Sequence, residues 1–272
     1  MKIFCILSDE RAFRSKSPGL YNAIFKEIGI SAAYVPLKVM PDQLGAAMQS
    51  LKTLNFSGAN ITIPYKSLVI PYMDILSEGA NIIGAVNTII RNGDELKGYN
   101  TNAIGFMDTL EEVGFDVSGK KALIFGSGGG ARAVIFILNW LRADTIDIAG
   151  RTAKRVEDIV TQIGGTSTTL EHLDQSPSQA QIIVNTTPIS APEDSPPFYE
   201  FIQRQSFKNC RLIIDLNYGR KNNFWEQKAR ELDIQFVDGL IPLAHSARRT
   251  LILWTRVDVP PAEFMKALGT SS

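Results

Sequence analysis

The sequence predicts an α/β protein of two domains: an N-terminal α/β domain followed by a Rossmann-type, doubly wound one. Short apolar, β-branched runs alternate with segments of helical period along most of the chain. One such run, KALIF, passes through the glycine cluster Gly126-Ser127-Gly128-Gly129-Gly130-Ala131 straight into a helix-period segment. A length of 272 residues is more than one hydrophobic core usually spans, so the prior leans to two.

The elements follow in order. KIFCIL (2–7) reads as a strand, and a helix begins at Ser17-Pro18, with Ser17 as N-cap and Pro18 in the first helical position. AAYVPLKV (32–39) is a second strand, PDQLGAAMQSL (41–51) a helix, and GANITIP (58–64) a third strand running into Tyr65-Lys66. VNTIIRNGDELKGYN (86–100) reads as a hairpin turning at Asn92-Gly93-Asp94. From 103 the spacing of Ile104, Met107, Leu110 and Val113 is helical. After the glycine-rich turn, TIDIAGR, QIIVNTT, RLIIDLN and IQFVDG are four more strands, mostly with helices between them, which is the rhythm of a parallel sheet. GLIPLAHSARRTLILWTR is one long helix that can return to the first domain. The boundaries are then 1–102 for the first domain, joined by C-terminal helices in 240–272, and 103–239 for the second.

Bulk composition narrows the function. Lys+Arg and Asp+Glu are both 28, giving zero formal charge, and no polybasic run appears, which argues against a nucleic-acid partner. No stretch approaches the 18 or so apolar residues of a membrane span, so none is expected. The N-terminal apolar run is too short for a signal peptide. Cys5 and Cys210 are far apart, fit no metal-ligand spacing and read as core thiols of a reducing compartment. A cytoplasmic protein, monomer or homodimer, without a metal, is the expectation.

The glycine cluster lies where a dinucleotide fingerprint must: after a strand and at a helix start. Gly126 serves the tight turn, Gly128 the close approach of backbone to pyrophosphate, and Ala131 the helix–strand packing, while Ser127, Gly129 and Gly130 complete the loop. The helix N-terminus offers free N–H groups to phosphate. The next strand selects the dinucleotide. In place of the Asp or Glu that would bind a ribose 2′-OH stand Ala149-Gly150-Arg151-Thr152, with Lys154 and Arg155 beyond. Arg151 can pair with a 2′-phosphate, Thr152 can hydrogen-bond it, and Arg155 adds charge, so NADP is favoured. The alternative is a solvated basic helix start.

Three polar motifs end elements of the first domain: Ser15-Lys16-Ser17-Pro18, Asn60-Ile61-Thr62-Ile63-Pro64-Tyr65-Lys66 and Gly84-Ala85-Val86-Asn87-Thr88. With the glycine loop, and with Asn185-Thr186-Thr187-Pro188, Asp215-x-x-Tyr218, Asp238-Gly239-Leu240 and Leu253-Trp254-Thr255 in this order, the chain resembles the shikimate dehydrogenase family over nearly its whole length. That resemblance implies that Ser15 and Ser17 hold a substrate carboxylate, with Tyr218 nearby, and that Thr62 and Asn87 bind ring hydroxyls. It implies Lys66 as the catalytic amine, Thr186 among the cofactor-binding residues and Gly239 beside the nicotinamide. A partly desolvated lysine has a lowered pKa and can shuttle a proton.

Two positions depart from the family pattern. Where the family has Asn-Thr-Asp, this chain has Asn100-Thr101-Asn102, so the carboxylate partner of the lysine is an amide. Asn102 cannot ionise, and without the opposite charge the Lys66 pKa should fall. Asn102 is also a good N-cap for the helix from 103, and both readings stand together. In the tail helix Ser246 holds the register of a substrate-contacting Gln. Its neighbour His245 reads more readily as structural or solvent-facing than as an acid–base group, and Arg248 and Arg249 as solvated charge. The two changes suggest a site adapted away from shikimate: an NADP-dependent oxidoreductase for a small, carboxylate-bearing cyclic substrate, such as an imine or amino-substituted analogue. A shikimate or quinate dehydrogenase of reduced rate, and a non-catalytic protein binding NADP(H) and a metabolite, are the alternatives.

Overall fold

The structure, a computed structural model, describes residues 1–269. The chain divides into two compact units, Met1–Gly105 with the chain from Leu243 onward, and Phe106–Pro242.

The first unit is built from β1 (Lys2–Ser8), α1 (Ser17–Glu27), β2 (Ala32–Lys38), α2 (Leu44–Thr53), β3 (Gly58–Ile61), β4 (Ile75–Leu76), α3 (Glu78–Ile83), β5 (Thr88–Asn92), β6 (Glu95–Tyr99) and the start of α4 (Thr101–Glu112). Its six-stranded sheet runs β2-β1-β3-β5-β6-β4. β1 pairs in parallel with β2 and β3, whereas β5 is antiparallel to both β3 and β6. The parallel half explains the unbroken apolar run of β1, since both of its faces are covered. The hairpin stands where expected, with Asn92 and Glu95 paired across the turn.

The second unit continues with β7 (Lys121–Phe125), α5 (Gly129–Trp140), β8 (Thr145–Ala149), α6 (Ala153–Gln162), β9 (Thr166–Thr168), α7 (Leu170–Gln175), β10 (Ile182–Asn185), α8 (Pro196–Arg204), β11 (Leu212–Asp215), α9 (Phe224–Glu231) and β12 (Gln235–Val237). Its sheet, β12-β11-β10-β7-β8-β9, is parallel throughout. This is the doubly wound dinucleotide order, with its switch point between β7 and β10. α10 (Leu240–Thr255) and α11 (Pro261–Ala267) follow.

Several boundaries differ from expectation for local reasons. The 41–51 helix is a short 3-10 turn, Pro41–Gln43, before α2, because Pro41 opens a tighter turn than the α-helix it leads into. β3 stops at Ile61 rather than 64, since the Tyr65 N–H turns back to the Thr62 carbonyl at 2.9 Å. The tail segment forms the one long helix expected, α10, and a second helix, α11, follows it after Pro260. β4 and β9 are edge strands of two and three residues, too short to leave a period-2 signal.

Trp254 of α10 anchors the first unit. Its ring stacks on Phe4 with centroids 4.3 Å apart, and Nε1 donates to the Ile89 carbonyl at 3.0 Å. Trp254→Ala removes this buried ring and leaves a cavity beside β1, for a loss of roughly 3–5 kcal/mol by the usual cost of such truncations. Chemical denaturation with an unchanged m-value checks it.

Candidate active site

In the first unit, α1 begins one residue earlier than the sequence suggests. Lys16 is the N-cap, with φ −75° and ψ −15°, and Ser17 is already helical. The cap contact comes from Ser15, whose Oγ accepts the Ser17 N–H at 3.1 Å and keeps its own O–H to donate. Ser17 is buried, and its hydroxyl bonds the Tyr34 phenol. Thr62 is half-buried and opens the turn that delivers Lys66. The Lys66 carbonyl accepts the Val86 N–H at 2.7 Å, which ties the lysine to the Gly84–Asn87 segment. Lys66 is half-buried, and among the described residues no carboxylate pairs with it. Burial pulls its amine down to about 8.

The stretch Asn100-Thr101-Asn102 divides its labour. α4 starts at Thr101, not 103, and the Asn100 Oδ1 accepts the Ala103 N–H at 3.1 Å, so Asn100 is the helix cap. Its Nδ2 donates to the Ala85 carbonyl at 2.9 Å. Asn102 is therefore no N-cap, and its side chain is released for other contacts. Its Oδ1 accepts from Asn87 Nδ2 at 2.8 Å and from Ser246 Oγ at 3.0 Å. The Asn87 Oδ1 in turn accepts the Thr101 N–H at 2.6 Å.

Behind these residues lies a buried hydroxyl and amide relay that sequence reasoning did not find. Thr101 Oγ1 meets Ser246 Oγ at 3.1 Å, Thr250 Oγ1 at 2.9 Å and Thr88 Oγ1 at 2.9 Å. Thr88 meets Thr250 at 3.1 Å and accepts from Asn60 Nδ2 at 3.1 Å, while Asn60 Oδ1 accepts from Tyr34 OH at 2.9 Å. Ser17 is thereby linked to Asn102 through fully satisfied polar groups, which fixes rotamers in a low-dielectric interior. The available signal was the polar pair Ser246 and Thr250, four apart on a helix otherwise rich in apolar residues.

His245 is buried, at 4% exposure, on the inward face beside Ala244, which is the structural of the two expectations. One expectation about α10 needs correction. Arg248 is not solvated charge alone: it forks onto the Asp258 carboxylate at 2.7 and 2.6 Å, and holds that carboxyl below its usual range.

In the second unit the loop after β7 is shaped by Gly126. Its φ is +118°, and a Cβ there would stand 2.3 Å from Thr186 Oγ1. Thr186 Oγ1 donates to the Phe125 carbonyl at 2.8 Å, so the two loops of the switch point are pinned together. Gly128 differs: a Cβ would meet nothing of the protein within 4 Å. It is the N-cap of α5 with no side-chain cap, so the first N–H groups of Gly129 and Gly130 face outward. Ser127 is half-buried beside Gly150, and Ala131 is fully buried against the sheet. Arg151, Thr152 and Arg155 are exposed after β8, and neither arginine has an ion pair among the described residues.

Asp215 explains the neighbouring markers. It is fully buried, and desolvation raises its carboxyl although hydrogen bonds oppose the rise. Its oxygens accept from Asn185 Nδ2 at 2.8 Å, Asn217 Nδ2 at 2.9 Å and Asn223 Nδ2 at 2.7 Å. Asn185 Oδ1 then holds the Thr187 N–H at 3.1 Å and hydroxyl at 2.7 Å. Tyr218 is half-buried on the segment after β11, in this second unit and not in the one that carries Ser15 and Ser17. Gly239 is crowded by backbone: a Cβ would lie 2.4 Å from the Leu216 oxygen and 2.8 Å from that of Asn217.

No described helix is long and apolar enough to cross a membrane. Among the described residues no group of three His, Cys, Asp or Glu side chains is placed to hold a metal ion.

The profile of the shikimate dehydrogenase substrate-binding domain matches residues 10–89, and that of shikimate / quinate 5-dehydrogenase matches residues 109–232. The NADP(+) shikimate dehydrogenase of Halothermothrix orenii is 35% identical over 265 residues, covering 93% of this chain and 90% of that protein. That of Nitrosopumilus maritimus is 29% identical, covering 98% of each. Among solved structures, shikimate dehydrogenase from Aquifex aeolicus superposes with a TM-score of 0.88 at 26% identity, covering 98% of this chain and 97% of that one. Shikimate 5-dehydrogenase from Thermus thermophilus, solved with NADP(H) and shikimate, gives 0.86 at 26% identity over 99% of both chains. With both profiles matched in order, and relatives this similar over nearly their full length, the chain belongs to the shikimate dehydrogenase family.

Proposed function

We propose that this protein is an NADP-dependent oxidoreductase of the shikimate dehydrogenase type whose substrate is a small, carboxylate-bearing cyclic molecule. The first unit takes the substrate and the second the cofactor. Lys66 carries the reading: it is half-buried, has no carboxylate partner among the described residues, and has its amine lowered to about 8. Near neutral pH such an amine exchanges a proton with a reacting oxygen or nitrogen at little cost. NADP supplies the hydride chemistry, and the chain binds, orients and moves the proton.

Ser15, with its O–H open to donate, marks the carboxylate end in this reading, with Ser17 beside it held by the Tyr34 phenol. Thr62 and Asn102 address the ring; Asn87, expected there from the family resemblance, has both ends of its amide filled by Thr101 and Asn102 and orients Asn102 instead. Ser246 orients Asn102 through its oxygen. Gly126 to Ala131 and Thr186 hold the pyrophosphate end, while Gly239 lets the segment beside the nicotinamide pack closely on the Leu216 and Asn217 backbone.

Arg151, Thr152 and Arg155 take the 2′-phosphate. Arg151→Ala is expected to weaken NADPH binding roughly 10- to 100-fold, the worth of one charged hydrogen-bonded contact, with NADH binding unchanged. Parallel titrations of the two nucleotides check it.

The substrate departs from shikimate at the group facing Asn102. A carboxylate there would accept a hydrogen from a ring hydroxyl and hold Lys66 charged, and the amide does neither. An imine or amino-substituted analogue, which brings its own nitrogen, suits the uncharged site. The relatives' names favour a second reading, in which shikimate or quinate is oxidised at reduced rate. The test is NADPH formation from NADP⁺ and shikimate by the native protein and by Asn102→Asp. A native rate at least tenfold below that of the Asp variant supports the departure, and equal, robust rates return shikimate as the substrate.

A further inference from the structure

The hydrogen-bond logic around Asn102 fixes which end of its amide faces outward. The chain of donors starts at a backbone N–H, which can only donate. Thr101 N–H lies 2.6 Å from an Asn87 side-chain atom, so that atom is the amide oxygen. The other Asn87 terminus is then NH₂, and it also reaches Thr101 Oγ1 at 2.9 Å. That nitrogen stands 2.8 Å from Asn102, so the Asn102 atom facing it is oxygen. Ser246 Oγ–H adds a second donor to the same oxygen at 3.0 Å. The Asn102 oxygen is thus occupied twice from inside the unit. Its Nδ2 has no protein partner among the described residues, and the side chain is half-buried rather than enclosed. Two N–H donors are turned to the accessible side.

We infer that Asn102 acts as a hydrogen-bond donor to the ligand and tunes the site for the oxidised form of its substrate, a ring ketone or neutral imine, over the corresponding alcohol or amine. This rests on the reading of the first unit as the substrate site, with Asn102 near the reacting group. A carbonyl oxygen has two lone pairs and no hydrogen, so it satisfies the Asn102 N–H and the Lys66 ammonium together. An alcohol oxygen can accept from both, but its own O–H then needs an acceptor. The only acceptor Asn102 has is already filled by Asn87 and Ser246. An O–H left unpaired in a desolvated site weakens binding by about tenfold or more. In Asn102→Asp, one carboxylate oxygen takes over the bonds from Asn87 and Ser246, and the other presents an acceptor where the donor stood. The preference should then turn round.

Calorimetric titration of shikimate and of its ring ketone into the protein at pH 7, without nucleotide, reads the effect as a ratio of dissociation constants. The native protein is expected to bind the ketone roughly tenfold more tightly than the alcohol, and Asn102→Asp to erase or invert that ratio. A ratio unchanged by the substitution overturns the donor role and leaves the carboxylate-binding site standing. If the native protein binds NADPH but neither of these acids nor an amino-substituted analogue of them, the substrate-site reading itself falls, and the inference with it. Should the Asp variant not fold, Asn102→Ala serves instead: it lacks the donor, so loss of the ketone preference supports the inference and its persistence overturns it.

Discussion

Lys66→Met leaves a folded protein that binds NADPH with native affinity and turns its substrate over about a thousandfold more slowly. Methionine matches the lysine stem but carries no proton, so the loss measures general acid–base catalysis, usually a factor of roughly 10² to 10⁴. The same lysine sets the pH profile. Its amine is lowered to about 8 by burial, with no carboxylate pair among the described residues to hold the charge. Oxidation needs the free amine as base, so its rate rises as pH climbs through about 8. Reduction needs the ammonium as acid, so its rate falls over the same interval. Asn102→Asp introduces a negative charge that favours the ammonium, and both inflections move to higher pH. Rate–pH profiles in the two directions check this, and an inflection that ignores Asn102→Asp would separate the amide from the lysine.

Gly239→Ala is expected to cost roughly 2–4 kcal/mol of stability and to abolish nucleotide binding together with it. The added methyl would lie 2.4 Å from the Leu216 oxygen and 2.6 Å from its carbonyl carbon. These are backbone atoms, so no rotamer change relieves the contact, and the 216–217 segment or the 239 turn must move. Steric strain of this kind belongs to the severe class of substitutions. For a chain of this size the melting temperature should fall by roughly 5–15 °C. Gly128→Ala is the matched contrast. Its methyl meets no protein atom within 4 Å, so stability should hold to within about 0.5 kcal/mol. NADPH affinity should nevertheless fall tenfold or more, because a ligand phosphate, not the protein, needs that space. Calorimetric melting and nucleotide titration on the two variants separate a glycine the fold requires from one the cofactor requires.

Much of this was legible in the sequence because it rests on local signals. The second sheet follows from short apolar runs alternating with helical segments. The position of the glycine loop between β7 and α5, and of Arg151 after β8, follows from chain order alone, since a parallel unit places its ligand-facing turns at strand ends. Lys66, by position only a lysine at a strand end, was singled out by the resemblance of its motif to the family's. A fall in its amine followed from the missing charge at Asn102, and burial supplies the fall.

The tertiary structure decided what depends on partners far apart in the chain. From sequence, Asn102 reads as the cap of a helix that begins at 103. Which residue caps the helix is set by where the chain turns, and Asn100 takes the Ala103 N–H. The cap being filled, Asn102 meets Asn87, and Ser246 from more than 140 positions along the chain. The relay through Tyr34, Asn60, Thr88, Thr101 and Thr250 was invisible for the same reason. Serine, threonine and asparagine carry no period that marks them as buried, and their pairing is settled only when strands and the returning α10 come together. The edge strands β4 and β9 are too short for a pattern and exist because a neighbouring strand offers them hydrogen bonds. The sequence by itself determined the family, the order of the elements and which residue types reach the site. The tertiary structure alone decided the direction of each hydrogen bond there, because a donor's direction is a property of the pair it joins and not of either residue.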